Sequence, residues 1–333
     1  MNPIAISLGP VSIHWYGIIL CAAIIAGLLM VVQEGKRFLI KSEFFSDLLI
    51  IGAPSAIIGA RLYYVAFKWD YYKSNPIEII MVWQGGIAIY GALIGAIIAG
   101  YFYIKAKGYP FWRIVDICAP SLFIGQIIGR WGNFVNQEAH GGPVAESFLR
   151  DSLHLPNFIV EHMNINGIFY HPTFLYESLW NLAGLVLLLW LRRRPFFKSG
   201  ELFATYFIWY SVGRFFIEGL RTDSLDFTGP SWLSAALNFL WMPMDLFFEP
   251  GELTYGGNVR ISQLLAVGIL LAASLLIYMR RRKYPMLQSY ADPIEPLLKQ
   301  VDPSIESGDS STDTSDHEVS ATTSGSEAKK NKP

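Results

Sequence analysis

The sequence predicts an all-α polytopic membrane protein: seven transmembrane helices, the N-terminus outside and the C-terminus cytoplasmic, with a small extracytoplasmic cap that includes a β-hairpin. Three observations carry that expectation. Of the 333 residues 52% are hydrophobic and only 16% are charged, too apolar a balance for a soluble domain of this length. Apolar runs close to the roughly 20 residues that cross a hydrocarbon core recur at 14–33, 46–67, 87–105, 112–131, 174–191, 201–220 and 262–279. Lysines and arginines gather in alternate loops.

Residues 1–13 hold no Lys or Arg, so the basic n-region of a secretory signal is missing and the first helix is expected to stay in the protein. Lys36, Arg37 and Lys41 follow the first span, and Lys105, Lys107 and Arg113 the third; Arg192, Arg193, Arg194 and Lys198 follow the fifth, and Arg280, Arg281, Arg282 and Lys283 the seventh. The positive-inside rule puts all four loops in the cytoplasm. Ala56 and Ala60, Gly91 and Gly95, and Gly125 and Gly129 stand one turn apart, the spacing that lets helices approach closely in lipid. The outer cap is expected over 139–172, with strands at 158–162 and 168–171 around a turn at 164–167. Segment 222–260, rich in aromatics and interrupted by Pro243, is expected to hold an in-plane interfacial helix rather than an eighth span. Residues 1–283 thus form the transmembrane domain, while 284–333, rich in Ser, Thr, Asp and Glu, reads as a disordered acidic cytoplasmic tail.

One stretch resists the apolar pattern. Residues 129–142 follow directly on the fourth span yet hold Arg130, Asn133, Asn136, Glu138, His140 and four glycines. Each unpaired polar group costs several kcal/mol in lipid, so this stretch must line a polar cavity or a wet interface. Asn133, Asn136 and the amides of Gly141 and Gly142 are candidate donors there. Span six adds Tyr210, Arg214, Glu218 and Arg221, which at 100° per residue share an arc of about 80°. The plain alternative is an i,i+4 pair between Arg214 and Glu218, with Arg221 reaching the interface. Arg130 with Glu138, Glu177 in span five and Arg61 in span two bring further charge to the same level. Arginine stays charged when desolvated and pairs bidentately with a phosphodiester, so an anionic phospholipid head group suits such a pocket. His171, at the start of span five, could transfer a proton near neutral pH. Cys21 and Cys118 lie inside apolar runs, and no metal-ligand spacing, phosphate loop or nucleic-acid patch occurs. No metal or cofactor is therefore expected.

The motif Gly129-Arg130-x-Gly132-Asn133-Phe134-Val135-Asn136-x-Glu138-x-x-Gly141 resembles the signature of the phosphatidylglycerol:prolipoprotein diacylglyceryl transferases of bacteria. His14-Trp15-Tyr16-Gly17, Trp83-Gln84-Gly85-Gly86, His171-Pro172-Thr173-Phe174-Leu175-Tyr176-Glu177 and Tyr210-x-x-x-Arg214-x-x-x-Glu218-x-x-Arg221 match further family blocks in order. The resemblance implies transfer of a diacylglyceryl group from phosphatidylglycerol to the lipobox cysteine of a prolipoprotein signal peptide, with release of glycerol phosphate. It implies a multi-pass protein of the bacterial cytoplasmic membrane, its active site toward the outer face, with the bilayer but no nucleic acid as partner. Arg130, Arg214, Glu218, Tyr16 and His171 are then candidate catalytic residues. Asn133, Asn136, Glu138, Gly141, Tyr210 and Arg221 join Arg130 in binding substrate, and Arg130 with Arg214 would hold the phosphate. Many members carry His where this chain has Tyr90, which is also taken as a catalytic candidate. A phenol is a poorer base than an imidazole near neutral pH, so Glu218, His171 or an intervening water stand as alternatives. Segment 222–260 is longer than the family pattern, and the acidic tail is extra. A transporter for an anionic lipid is the competing reading of the same cavity; related halves, which would favour it, are absent from the sequence.

Overall fold

The computed structural model describes residues 4–8, 11–251, 253, 256–284 and 288–294; most of the acidic tail, from 295 on, lies outside them. The chain opens with a hairpin that the span pattern does not anticipate, β1 (Ile4–Leu8) paired antiparallel with β2 (Val11–His14). Ten α-helices follow among the described residues: α1 (Trp15–Arg37), α2 (Ser42–Phe67), the single turn α3 (Trp69–Tyr72), α4 (Ile89–Ala106), α5 (Phe111–Asn136), α6 (Asn157–His162), α7 (Thr173–Leu191), α8 (Glu201–Leu220), α9 (Ser231–Trp241) and α10 (Ile261–Lys283). Six of them, α1, α2, α4, α5, α7 and α10, are long and apolar enough to cross a membrane. Their outward faces carry side chains such as Leu29, Ile50 and Phe102, about two-thirds exposed, as a lipid-facing surface would. The 20-residue α8 coincides with the expected sixth span, but Glu201, Arg214 and Glu218 dilute its apolar character and eleven of its residues are buried.

Helix α5 sits at the centre, packed on α1, α7 and α8, while α10 covers α8 and the pair α2 and α4 packs closely together. The small residues explain the last contact. A Cβ on Gly91 would collide with the Gly59 carbonyl, and one on Gly95 with the Ser55 carbonyl, so the two backbones touch. Gly125 and Gly129 have the same spacing but nothing within 4 Å of a Cβ, so the expected close packing does not occur there. Arg61 of α2 is buried and donates from Nε to the Ile79 carbonyl at 2.9 Å and from Nη1 to those of Gly85 and Gly86 at 2.6 and 2.9 Å, with Nη2 on Glu78. It ties the loop before α4 and does not join the other buried arginines.

The segment after α5 departs from the expected cap in one respect. Residues 158–162, expected as a strand, belong to α6, which starts after Pro156 and buries Ile159 and Val160 against Phe134 and Phe174. The hairpin itself is present but shorter: β3 (Asn164–Ile165) pairs with β4 (Ile168–Phe169) across Asn166 and Gly167, both with positive φ. In segment 222–260, β5 (Asp226–Phe227) pairs with β6 (Val259–Arg260) and brings its two ends together. Helix α9, only 11 residues long, is too short to span, and its Trp241 is buried with Nε1 donating to the Phe216 carbonyl at 3.0 Å.

At the basic end, Glu34 of α1 is buried among Arg37, Arg192 and Arg193, at 3.4, 3.1 and 3.7 Å. Residues 288–294, expected to begin the tail, pack here instead. Tyr290 is fully buried, its hydroxyl donates to Glu34 at 3.0 Å, and its amide donates to the Phe197 carbonyl at 2.8 Å. Arg113 lies over the rings of Phe38 and Tyr290, 5.1 and 5.3 Å from their centroids, and donates to the carbonyls of Ser289 and Asp292. Burial, and then the Glu34 carboxylate, push the Tyr290 phenol well above its ordinary value. Composition misses this because one aromatic in a polar stretch carries the contact. Tyr290→Phe should cost about 1 kcal/mol and Tyr290→Ala about 3–5 kcal/mol; thermal unfolding in detergent, compared with the parent chain, checks the order and the gap.

Candidate active site

The C-terminal end of α5 sets out the first half of the site. Its last two turns place Arg130 and Asn133 on one side, 3.3 Å apart from Nη1 to Oδ1. The helix then ends in a left-handed residue, Gln137 at φ 53°, and Ala139 is left-handed as well at φ 57°. This double reversal turns Glu138 back over the helix end, where its Oε1 accepts from Asn133 Nδ2 at 3.0 Å and Asn136 Nδ2 at 3.3 Å. Such a turn normally uses glycine. Here Gln137 Nε2 donates to the His162 carbonyl at 2.7 Å and Thr173 Oγ1 to that of Ala139 at 2.5 Å, which hold it.

Helices α7 and α8 supply the other half. Arg130 Nη2 lies 2.6 Å from Glu177 Oε1, whose second oxygen is 3.8 Å from Arg214 Nη1; Arg214 Nη2 lies 2.6 Å from Glu218 Oε2. Glu177 therefore bridges the two arginines, and a chain of opposite charges runs from α5 through α7 to α8. Both carboxylates are nearly fully buried, with side-chain exposures of 4% and 2%, whereas the side chains of Arg130 and Arg214 keep 20% and 19%. The expected partner of Arg130 was Glu138, which the left-handed turn commits to the two asparagines instead. Tyr210 stacks on Tyr206 with ring planes 9° apart and lies within Coulomb range of Glu177, Arg214, Arg130 and Glu218.

The remaining candidates flank this group or stand away from it. The ring of Tyr16 lies across Gly132, where a Cβ would come within 2.6 Å of it, so the glycine lets α1 close on α5. Gly141 does the same for His171, whose Cβ would stand 2.7 Å from an added methyl. The Gly141 and Gly142 amides, candidate donors to a ligand, instead serve the His171 and Leu220 carbonyls at 3.0 and 3.1 Å. His171 is buried with Nδ1 3.2 Å from the Tyr176 hydroxyl, and burial pushes its imidazole below the ordinary value. Arg221 leaves the expected stripe because α8 ends at Leu220; it forks onto Asp223 with both contacts at 2.8 Å. Tyr90, exposed at the start of α4, packs against Tyr63 with ring centroids 6.5 Å apart. Glu177 stands out in sequence only as an unexplained charge at a span entrance; its bridging role depends on three helices meeting. Among the described residues no cluster of His, Cys, Asp and Glu could hold a metal.

A cation pair drawn together by one carboxylate at a helix end suits an anionic ligand, and comparison with known proteins agrees. The family model described as prolipoprotein diacylglyceryl transferase matches residues 3–279. Proteins named phosphatidylglycerol–prolipoprotein diacylglyceryl transferase are similar along most of their length. That of Bacillus velezensis is 49% identical over 292 residues, 88% of this chain and 97% of its own. The protein of Bacillus mycoides is 48% identical over 282 residues, 85% and 93% of the two chains, and that of Bacillus licheniformis 47% identical over 292 residues, 88% and 97%. With the signature blocks, the helical frame and a family match over nearly the whole described domain, the chain belongs to the prolipoprotein diacylglyceryl transferase family.

Proposed function

We propose that this protein transfers an sn-1,2-diacylglyceryl group from phosphatidylglycerol to the lipobox cysteine thiol of prolipoproteins, the first step of lipoprotein maturation. Residues 1–283 cross the bacterial cytoplasmic membrane seven times, α8 being the sixth span, with the site end of the bundle facing outward. The acidic tail lies in the cytoplasm, and α9 lies in the plane of the outer interface under the exposed Trp232 and Phe239. The observation that carries the reaction is the pair Arg130 and Arg214, held by Glu177 and partly open in front. Two guanidinium groups at one point match the oxygens of a phosphodiester, and the charge that develops on the departing phosphate oxygen is what they stabilise.

In the transfer, the cysteine sulfur attacks the glyceryl carbon bonded to the phosphate oxygen. A C–S bond forms, the C–O bond breaks with its electron pair going to phosphate, and glycerol phosphate leaves. The thiol proton passes to a base, for which Glu218, His171 and a water between the Arg and Tyr groups are the candidates. His171, held below its ordinary pKa by burial, is a neutral imidazole at pH 7 and so has a lone pair to offer. Asn133, Asn136 and Glu138 close one flank of the head-group pocket, Tyr210 the other, with Tyr16 and Gly141 shaping its walls and Arg221 at the rim. Tyr90, set against Tyr63, serves packing.

The direct test incubates purified protein with phosphatidylglycerol and a lipobox peptide and weighs the peptide. A diacylglyceryl mass gain is expected; none, under conditions where a related transferase works, counts against the proposal. Arg214→Lys keeps the charge but loses the planar fork, so turnover should fall at least about ten-fold while the protein still inserts; near-full activity would remove the bidentate argument. Tyr90→Phe should leave turnover within about two-fold, since a ring against Tyr63 loses only a hydroxyl; a large drop in the same mass assay would give that hydroxyl a role.

A further inference from the structure

Two arginine–carboxylate pairs that fasten this fold are closed forks. Arg221 meets Asp223 through Nε and Nη2, both at 2.8 Å, and Arg281 meets Glu201 through Nε and Nη2 at 2.6 and 2.8 Å. The pairs at the candidate site are single contacts, as are those of Glu34 with Arg37, Arg192 and Arg193. Arg130 and Arg214 each present a single nitrogen to a given carboxylate oxygen. The two short contacts, to Glu177 Oε1 and Glu218 Oε2, are not aligned as hydrogen bonds, so these buried oxygens are near their cations without being capped by them. Formal charge is nevertheless balanced, two arginines against two carboxylates. The carboxylate side chains are nearly sealed, whereas the two arginine side chains keep about a fifth of their surface open.

We infer that Glu177 is an internal counter-anion: it gathers Arg130 and Arg214 while the head-group pocket holds no lipid, and it competes with the incoming phosphate for their donors. The inference rests on the reading of those arginines as the phosphate cradle and adds a residue to it. Two guanidinium groups sharing one cavity repel, and without an anion between them they would turn apart toward water. Glu177, reaching one with each oxygen, holds them together at the helix crossing. Because neither contact is a closed fork, the donors can swing forward to a phosphate that offers two aligned acceptors. Binding is thereby weakened by the competition, and the arginines are released to tighten on the leaving phosphate as its charge grows, where tightening speeds the reaction. Glu177 is a positioning residue in this scheme, acting through the two arginines.

The proposal separates binding from turnover. Full-length protein in detergent is titrated with short-chain phosphatidylglycerol to obtain Kd, and kcat is measured by mass gain of a lipobox peptide. Glu177→Gln, nearly isosteric, removes the competing charge, so Kd should fall roughly three- to ten-fold while kcat falls as well. Glu177→Asp keeps the charge but draws it back, and should move both constants in the same direction by less; it decides the matter if the glutamine variant does not fold. A residue that only braced the helices would raise Kd or leave it unchanged, and that result overturns the inference. Arg214→Lys is run beside them. If it leaves Kd unchanged, the phosphate cradle falls and the inference with it; if it weakens binding and neither Glu177 variant strengthens it, the cradle stands and only the counter-anion role is lost.

Discussion

The contact of Glu177 with two arginines is the constraint around which the site end of this bundle is arranged. Its carboxylate comes from the first turn and a half of α7, Arg130 from the end of α5 and Arg214 from the last two turns of α8. A buried charge tolerates little displacement from its partners, because the desolvation cost remains while the compensating attraction falls. Those helices must therefore meet at one height. Much of the surrounding detail serves that meeting: Gly132 admits Tyr16, Gly141 admits His171, and Trp180 and Trp209, stacked at 4.6 Å, donate to each other's backbone carbonyls across α7 and α8.

The opposite end uses the same chemistry for a different result. Glu34 draws Arg37, Arg192 and Arg193 together, Asp116 caps the start of α8 by accepting from the amides of Gly200 and Phe203, and Glu201 takes a closed fork from Arg281. Tyr290 and its neighbours fill the space between. At this end Arg113 and Arg280 also donate to backbone carbonyls, while Arg37, Arg192 and Arg193 make single contacts with Glu34. At the site end the two arginines keep open surface and unaligned contacts.

How far the sequence could be read follows from which interactions are local. The long helices were legible to within a few residues, because a run of apolar side chains sets both the length and the environment of a span. The shortness of α9 was legible too, from Pro243 just past its end. The hairpin after α5 was legible in its turn, Asn166-Gly167, but not in its first strand: 158–162 opens on the β-favouring run Phe158-Ile159-Val160, while Pro156 and the burial of Ile159 and Val160 make it a helix. Arg61 looked like a member of the arginine group because it shares their level, yet the loop carbonyls of Gly85 and Gly86 claim it.

By itself the sequence determined the helical frame, the family, and the residue types at the site, since apolar run length, turn chemistry and contiguous motifs are properties of neighbouring residues. Which charge faces which was decided only in the tertiary structure. Arg214 and Glu218 pair along one helix, one turn apart, and were readable as such. The pairing of Arg130 with Glu177 rather than Glu138 depends on the left-handed turn at Gln137 and Ala139 and on α7 crossing α5 at that height. The burial of Tyr290 against Glu34 joins residues at opposite ends of the described chain, where no local pattern reaches.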